Sequence, residues 1–310
     1  MATQERTRTN GHGIRRHYPQ LMSTTVLVVG ATGNQGGAVV DQLLAANDDT
    51  EEEFAVHGLT RDESSEKAQA LAERGVTVVE GDLGDKESLR AAVEDVDAVF
   101  AVTNYFITGF EGEIEQGTNI AEVAAESAVD HFIYSSVGGA DRTEEVEHFV
   151  SKYRVEQRIA DLDLPATVLR PVYFMGNLEG NREDIQNGTL ALPLNEGVSL
   201  QMLDVADYGA VAARVFAAPD EYVGETIEIA SDEQTLESMA ATFADVLDTE
   251  VEAVHVPLDE AREQLPEDLV TMYEWFNEEG YTADIDALET EFDHQFHSLA
   301  TYLQNHEWHR

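Results

Sequence analysis

Cysteine is absent from this chain of 310 residues, which excludes disulfide bonds, thiol nucleophiles and thiolate metal sites together. Long apolar runs are also missing, because no stretch approaches the roughly 18–20 residues that a membrane-spanning helix needs. The N-terminal residues carry several arginines but lack the apolar core of a secretory signal. We therefore expect a disordered basic tail over residues 1–22, with Met22 as an alternative start, and a cytoplasmic protein without a membrane partner.

Lysine is scarce: Lys67, Lys86 and Lys152 are the whole set, and 18 basic side chains face 62 acidic ones. The net charge of −44 destabilises a compact state in dilute buffer. Molar salt shortens the Debye length to about 3 Å and screens this repulsion. The acids are spread along the chain, which favours salt adaptation over an acidic interaction tail. The composition predicts a halophilic protein, and it disfavours nucleic-acid binding because such a surface repels phosphates.

From Thr25 to Arg170, short apolar strands alternate with amphipathic helices. After a first strand that ends at Val29, further strands are expected at Phe54–Thr60, Val76–Glu80, Asp97–Val102, Phe132–Ser135 and Ala166–Leu169. Such strand–helix–strand units imply an α/β fold with a doubly wound parallel sheet of the Rossmann type. Ligands of these sheets bind beyond the carboxyl ends of the strands, where the strand order reverses.

The chain beyond Pro171 changes to a mixed pattern. We assign residues 23–175 to a dinucleotide-binding domain and residues 176–310 to a smaller mixed α/β lobe for a substrate or partner, partly interwoven with it. The elements expected in this lobe are strands near Gln201–Leu203, Thr226–Ile229 and Val251–Val256, helices at Val205–Ala217 and Leu236–Leu247, and a helical, acidic C-terminus.

A glycine cluster joins the first strand to the helix that follows it, within Val26–Gly37. Gly30 allows a tight turn, Gly33 lets the backbone approach phosphates, and Gly36 lets the helix pack closely on the strand. The free N–H groups and the positive dipole end of the helix then face an anion. We predict that this segment holds a dinucleotide pyrophosphate, although the glycines alone also suit an ordinary turn.

The end of the strand Phe54–Thr60 predicts which nucleotide binds. NAD-preferring sites place a carboxylate there for the ribose 2′-hydroxyl, whereas this chain offers Thr60 and Arg61. Arg61 can pair with a 2′-phosphate, with Lys67 near enough in sequence to assist. The alternative is a surface arginine that balances Asp62. NADP is therefore favoured over NAD.

Polar residues also follow two other strands. Asp82 follows Val76–Glu80, where its carboxylate either accepts from an adenine amino group or caps a turn. Thr103, Asn104 and Tyr105 follow Asp97–Val102, and three hydrogen-bonding side chains together at a strand end are more typical of a site than of a core. These residues are candidate cofactor contacts.

Lys152 is the strongest catalytic candidate. The chain contains very few lysines, and this one lies on the helix that follows Ser135-Ser136. It can bond a nicotinamide ribose and lower the pKa of a nearby proton donor, or it is a solvated lysine. His148 lies one helical turn earlier and could donate a proton near neutral pH, or be a satisfied surface histidine. Tyr173 could line the pocket of a nicotinamide ring, or it is an aromatic residue of the core without a ligand contact.

No metal site is predicted. Four histidines lie near the C-terminus, but their spacing matches no ligand set, and we expect them on a helix surface: His294, His297, His306 and His309. Thiolate ligands are excluded by composition.

With these segments assembled, the chain resembles the NmrA-like branch of the atypical short-chain dehydrogenase/reductases, in particular the HSCARG-type NADP-binding redox sensors. The resemblance covers nearly everything from Thr25 onward. It is carried by Gly-Ala-Thr-Gly-x-Gln-Gly-Gly at 30–37, Val-Thr-Asn-Tyr at 102–105, a helix start at Glu115-Gln116-Gly117, His148-Phe149-x-x-Lys152 and the Arg170–Phe174 segment. It implies cofactor contacts at Gly30, Thr32, Gly33, Asn34, Gln35, Gly36, Arg61, Asp82, Thr103, Lys152 and Tyr173.

One departure from the wider superfamily limits the functional prediction. Active members use Ser and then Tyr-x-x-x-Lys, with tyrosine as proton donor; here Ser135 or Ser136 and Lys152 fit, but His148 fills the tyrosine position. NmrA-like members share this departure, and the resemblance implies an NADP(H)-binding redox-sensing regulator with a regulatory protein partner. The alternative is an NADPH-dependent reductase of a quinone or of a carbonyl or imine compound, using Lys152 with His148 or water as donor. The sequence does not indicate an oligomeric state.

Overall fold

A computed structural model of the chain describes residues 7–9, 15–17, 23–49, 54–127 and 129–308. The strands in these ranges are β1 (Thr7–Thr9), β2 (Arg15–His17), β3 (Thr24–Val29), β4 (Phe54–Thr60), β5 (Thr77–Glu80), β6 (Ala98–Val102), β7 (His131–Ser135), β8 (Ala166–Pro171), β9 (Tyr173–Phe174), β10 (Thr189–Leu192), β11 (Ser199–Leu203), β12 (Thr226–Ile229), β13 (Asp232–Thr235) and β14 (Glu252–His255). The helices are α1 (Asn34–Asp49), α2 (Glu66–Glu73), α3 (Lys86–Ala92), α4 (Tyr105–Glu126), α5 (Glu147–Asp161), α6 (Arg182–Gln186), α7 (Val205–Ala217), α8 (Pro219–Tyr222), α9 (Leu236–Leu247), α10 (Leu258–Ala261), α11 (Glu267–Glu278), α12 (Ile285–Phe292) and α13 (Leu299–Asn305), with a 3₁₀ helix over Met175–Asn181.

Seven parallel strands form the main sheet in the order β12-β8-β7-β6-β3-β4-β5. The chain runs outward from β3 through β4 to β5 and then returns to the other side of β3 with β6. The carboxyl ends of β3 and β6 are therefore neighbours at the point where the strand order reverses, which is where open α/β sheets bind ligands. This is the doubly wound fold that the sequence predicts.

Two apolar layers cover the faces of the sheet. Alternate residues of β3 face opposite sides, because side chains alternate along a strand: Val26 and Val28 pack with α1 and α7, whereas Leu27 and Val29 pack with α3, α4 and α5. These four side chains are 0–3% exposed. Helices on both faces are what allow an all-parallel sheet to be stable.

A second core lies in the later part of the chain. It is built from the three-stranded sheet β13-β11-β9, the parallel pair β10-β14, and the apolar faces of α9, α11 and α13. The later part of the chain also contributes to the main sheet and its covering helices, because β12 pairs with β8 and α7 packs on α1. The predicted boundary between residues 175 and 176 stays a prediction.

Two predicted positions need correction. The strand Thr226–Ile229 was expected in the smaller lobe, but it forms the edge of the main sheet, where Ile227 and Ile229 pack in the same apolar layer as Val26 and Val28. The segment Glu115-Gln116-Gly117 was expected to start a helix, but α4 already begins at Tyr105. Gly109, with φ of 71° and ψ of −179°, interrupts α4 and separates its first turn from the long segment that contains Glu115. By contrast, the bounds predicted for β4, α7 and α9 agree with the structure.

Within the N-terminal segment, β1 and β2 pair as a short antiparallel ribbon. The remaining residues up to 22, including Met22, lie outside the described ranges, and the expected disordered tail stays a prediction. Among the helices of the described ranges, none combines the length and apolar character needed to cross a membrane.

Candidate functional site

The glycine cluster forms a tight turn between β3 and α1. Gly30 has φ of +69°, and its carbonyl accepts a hydrogen bond from the Gly33 amide at 2.8 Å. A Cβ on Gly36 would lie 2.3 Å from the Gly30 carbonyl oxygen, which is closer than any real contact, so the helix can only pack here without a side chain. Gly33 and Asn34 are exposed at the start of α1, which leaves the first turn of the helix open to a ligand.

The helices that follow β3 and β6 begin without negative charge. Neither α1 nor α4 has an acidic residue in its first turn, although the chain has 62 acidic side chains. In contrast, α2 and α3 carry Glu66 and Glu87 in their first turns. A helix N-terminus attracts anions, and an acid there would compete with a bound phosphate. The crevice between β3 and β6 is therefore suited to an anionic ligand.

Two cations lie beside the glycine turn. Arg61 is exposed directly after β4, and Lys67 Nζ donates to the carbonyl of Thr32 at 3.4 Å. The carboxylate of Asp62 is engaged in its own turn, where Oδ1 accepts from the Ser64 amide at 2.9 Å and from its hydroxyl at 2.6 Å. These bonds hold the pKa of Asp62 below its usual value. Both interpretations of Arg61, as a contact for a 2′-phosphate and as a surface arginine that balances Asp62, therefore stay open.

Lys152 extends from α5 to the ends of β6 and β7. Its Nζ lies 3.2 Å from the Thr103 carbonyl oxygen, 3.4 Å from the Ser135 carbonyl oxygen, and 3.1 Å from Oε1 of Glu113. The side chain is only 12% exposed, which excludes the alternative that Lys152 is a solvated surface lysine. Lys152 is instead a mostly buried cation held at the crevice by two strand ends and a carboxylate.

Glu113 is a residue that sequence reasoning missed. It is 0% exposed on α4, and its carboxylate also accepts from the hydroxyls of Thr103, at 2.9 Å, and Ser151. A buried carboxylate needs such partners, because an unpaired one would cost several kcal/mol. The sequence contains 62 acidic residues, and no pattern in it distinguishes Glu113 from the others. Only the fold places Glu113 next to Lys152.

His148 lies on the same helix, one turn before Lys152, and is paired with a second carboxylate. Nδ1 of His148 bonds to Oδ2 of Asp268, which lies on α11, a helix whose apolar face belongs to the second core. Asp268 also accepts from the Glu147 amide at 2.7 Å, so the carboxylate is fixed against the start of α5. This pairing leaves Nε2 of His148 for proton exchange with a ligand. Asp268, like Glu113, was not identified from the sequence.

The remaining candidates occupy varied environments. Gln35 accepts from the Ser135 hydroxyl at 2.6 Å, which ties the start of α1 to the end of β7. Asn104 is exposed at the start of α4, and its side chain does not cap the helix. One carboxylate oxygen of Asp82 caps its turn by accepting from the Gly84 amide at 2.8 Å, as the alternative interpretation held.

Tyr173 lies in the second core rather than at an open edge. It is 8% exposed and packs against Phe276, and its burial raises the pKa of its hydroxyl. The structure therefore places Tyr173 in the environment of a core aromatic. A contact with a cofactor stays a prediction.

The C-terminal histidines do not simply mark a helix surface. His294 and His297 lie between α12 and α13 and bond two buried carboxylates at the start of α7: His294 to Asp207 at 2.9 Å, and His297 to Asp204, the N-cap residue, at 2.9 Å. Ligand atoms of Asp204, Asp207 and His297 lie within 4.8 Å of one another and could hold a metal ion, so the expected lack of a metal site stays a prediction. His309 lies outside the described residues.

Comparison with known proteins identifies the family of the chain. The model of the NmrA-like family matches residues 22–308. The chain is 30% identical over 290 residues to the NmrA-like family domain-containing oxidoreductase malD of Malbranchea aurantiaca, a match that covers 81% of this chain and 84% of that protein.

Solved structures agree on the fold. The NADPH-dependent quinone oxidoreductase of Escherichia coli, complexed with NADPH, superposes with a TM-score of 0.78 at 23% identity and covers 92% of this chain and all of that one. The negative transcriptional regulator NmrA, in complex with NADP, superposes with a TM-score of 0.73 at 20% identity and covers 90% of this chain and 94% of that one. The family match spans nearly the whole chain, and the chain belongs to the NmrA-like family.

Proposed function

We propose that the crevice between β3 and β6 binds NADP(H). The support is the glycine turn, the acid-free starts of α1 and α4, and the lack of room for a side chain at Gly36. Ser136 adds to this fit, because its hydroxyl at the end of β7 is buried without a hydrogen-bond partner among the described residues. Both structural neighbours described above carry NADPH or NADP.

The extra phosphate of NADP finds positive charge at Arg61 and Lys67. Both lie beside the turn that would hold the pyrophosphate, and Lys67 already contacts the Thr32 carbonyl. A guanidinium binds a phosphate with two parallel hydrogen bonds, a geometry that a ribose hydroxyl cannot match. Preference for NADP over NAD follows.

The activity that this geometry supports best is NADPH-dependent reduction of a small conjugated or carbonyl compound. The observation that carries it is that Lys152 and His148 lie one helical turn apart at the crevice, each held by a carboxylate. When bound, NADPH supplies a hydride. Lys152 would hold the nicotinamide ribose, and His148 would donate the proton from Nε2 while Asp268 fixes its ring.

Steady-state NADPH oxidation against quinones and carbonyl compounds tests this proposal. We expect turnover with at least one acceptor class, a steep fall in kcat in Lys152→Met, and a fall in kcat in His148→Phe. Arg154→Met, an exposed cation on the same helix, serves as the matched control and should retain wild-type rates. Tight NADPH binding without oxidation of any acceptor would contradict the reductase.

A redox-sensing regulator is the second candidate. It is favoured by the histidine at position 148, where active members of the wider superfamily carry their proton-donating tyrosine, and by a neighbour described as a transcriptional regulator. A sensor would bind NADP and NADPH with different affinities and pass the difference to a regulatory protein partner. We also propose adaptation to high salt, which the net charge of −44 supports, and a cytoplasmic location.

A further inference from the structure

Two neighbouring apolar side chains are exposed beside the crevice. Phe106 is 66% exposed and Ile107 is 70% exposed, and in the described ranges the one other large hydrophobic side chain of this kind is Val223, at 42%. Leaving apolar surface exposed to water costs roughly 25 cal/mol per Å² compared with burying it. In a chain with a net charge of −44, two consecutive exposed hydrophobic residues at the carboxyl end of β6 require an explanation.

The aromatic rings here meet the imidazole of His148. The Phe106 ring centroid lies 5.4 Å from that of His148, and the Tyr105 centroid lies 5.8 Å from it. The Tyr105 hydroxyl donates to Glu147 at 2.7 Å, which fixes this ring against the start of α5. The exposed apolar surface therefore borders the group to which we assign the proton.

The backbone keeps this surface separate from the rest of α4. Gly109, at φ of 71°, breaks the helix after a single turn, and a Cβ at this position would meet nothing within 4 Å. Its conformation is one that side-chain-bearing residues rarely adopt. Gly109 thus separates the turn that carries Phe106 and Ile107 from the long segment of α4.

Acidic groups lie near the apolar surface. A cavity of about 240 Å³ is lined by Phe110, Glu144, Glu147 and Val150, and the Glu147 carboxylate in this lining accepts from the hydroxyl of Tyr105, the neighbour of Phe106. Asp268 lies behind His148. An anionic ligand would be repelled here, whereas a neutral or cationic one would not.

We propose that Phe106 and Ile107 form the acceptor subsite of the reductase, and that the acceptor is a flat, conjugated molecule that is neutral or cationic. The proposal rests on the proposed function and names its substrate class. The hydride from NADPH carries two electrons and one hydrogen to the acceptor. His148 supplies the second hydrogen as a proton from Nε2, which solvent replaces, so that a quinone becomes a hydroquinone. The flat face of the acceptor packs on Phe106.

The test compares acceptors and variants in NADPH oxidation by the full chain. The acceptors are 1,4-naphthoquinone and 1,2-naphthoquinone-4-sulfonate, which are both flat but differ in charge. We expect Phe106→Ala and Ile107→Ala each to raise KM for the uncharged quinone about tenfold, with the Kd for NADPH unchanged. Val223→Ala, which shortens an exposed hydrophobic residue elsewhere, should leave KM unchanged. Wild type should use the sulfonate at least tenfold less well, at the lowest salt in which the chain stays folded.

Two outcomes separate this subsite from the reductase itself. Turnover that is equal in wild type, Phe106→Ala and Ile107→Ala would overturn the subsite while the reductase stands. If no acceptor is reduced, the reductase fails, and equilibrium dialysis of 1,4-naphthoquinone against the NADP complex decides the subsite. Binding that is lost in Phe106→Ala but retained in Val223→Ala would support it, and no binding, or equal binding in all three proteins, would overturn it.

Discussion

Replacing Glu113 by glutamine tests whether the buried pair with Lys152 holds the site together. Glu113 is 0% exposed, and Lys152 Nζ lies 3.1 Å from its carboxylate. Removing one partner of a buried ion pair costs about 3–5 kcal/mol, because the remaining charge is left uncompensated. The low end applies here, since glutamine can still accept from Thr103 and Lys152 keeps two carbonyl oxygens as acceptors.

The expected loss of about 3 kcal/mol converts into a measurable melting shift. An unfolding entropy of about 2.1 cal/mol/K per residue gives roughly 0.65 kcal/mol/K for 310 residues. Glu113→Gln should therefore lower Tm by about 5 °C in differential scanning calorimetry. Glu115→Gln, at an exposed position two residues along the same helix, should lower Tm by less than about 1 °C.

A double-mutant cycle then assigns the loss to the pair. Lys152→Met alone leaves the carboxylate buried without its cation, so the double variant should be more stable than the sum of the single losses predicts, by about 2 kcal/mol. Equal melting temperatures for Glu113→Gln and Glu115→Gln would refute the reasoning. So would strictly additive losses in the cycle.

Three further predictions concern the cofactor, salt and pH. Arg61→Ala should weaken NADPH binding at least tenfold while leaving NADH binding nearly unchanged in calorimetric titration, and equal losses for both would remove the 2′-phosphate contact. The thermal midpoint should rise from dilute buffer to molar KCl because salt screens the net charge of −44, and an unchanged midpoint would remove the halophilic interpretation. Burial lowers the pKa of His131 to about 4, so the unfolded state binds its proton first as pH falls below about 6.5, and stability is lost from there down to about pH 4. Between pH 7 and pH 5 the titration of His131 should lower the free energy of unfolding by about 2 kcal/mol. In urea titrations at a series of pH values, the free energy of unfolding of His131→Phe should therefore fall less steeply with decreasing pH than that of wild type. An equally steep fall in both proteins would contradict this role of His131.

The sequence was sufficient for the glycine turn because its chemistry is local. Gly30, Gly33 and Gly36 interact with one another and with the first turn of α1, so their spacing alone predicts the turn. The bounds of β4 and α7 followed for the same reason, since periodicity is read within one element.

Long-range pairing is what the sequence could not predict. The strand β12 was recognised as a strand, but its apolar alternation does not state which sheet it joins, and it pairs with β8. The partners of Lys152 and His148 were missed for a related reason: Glu113 and Asp268 lie on α4 and α11, far along the chain. In a chain with 62 acidic residues, only the fold distinguishes these two carboxylates from the others.

Calorimetric titration of NADPH into the chain in concentrated KCl tests the central claim most directly, with Gly36→Ala and Gly180→Ala as paired variants. A Cβ at Gly36 would lie 2.3 Å from a backbone oxygen of the turn, whereas one at Gly180 would meet nothing within 4 Å. We predict saturable binding of one nucleotide per chain to wild type and to Gly180→Ala, with binding lost in Gly36→Ala. Absence of saturable heat with wild type, or full binding by a folded Gly36→Ala, would contradict the account.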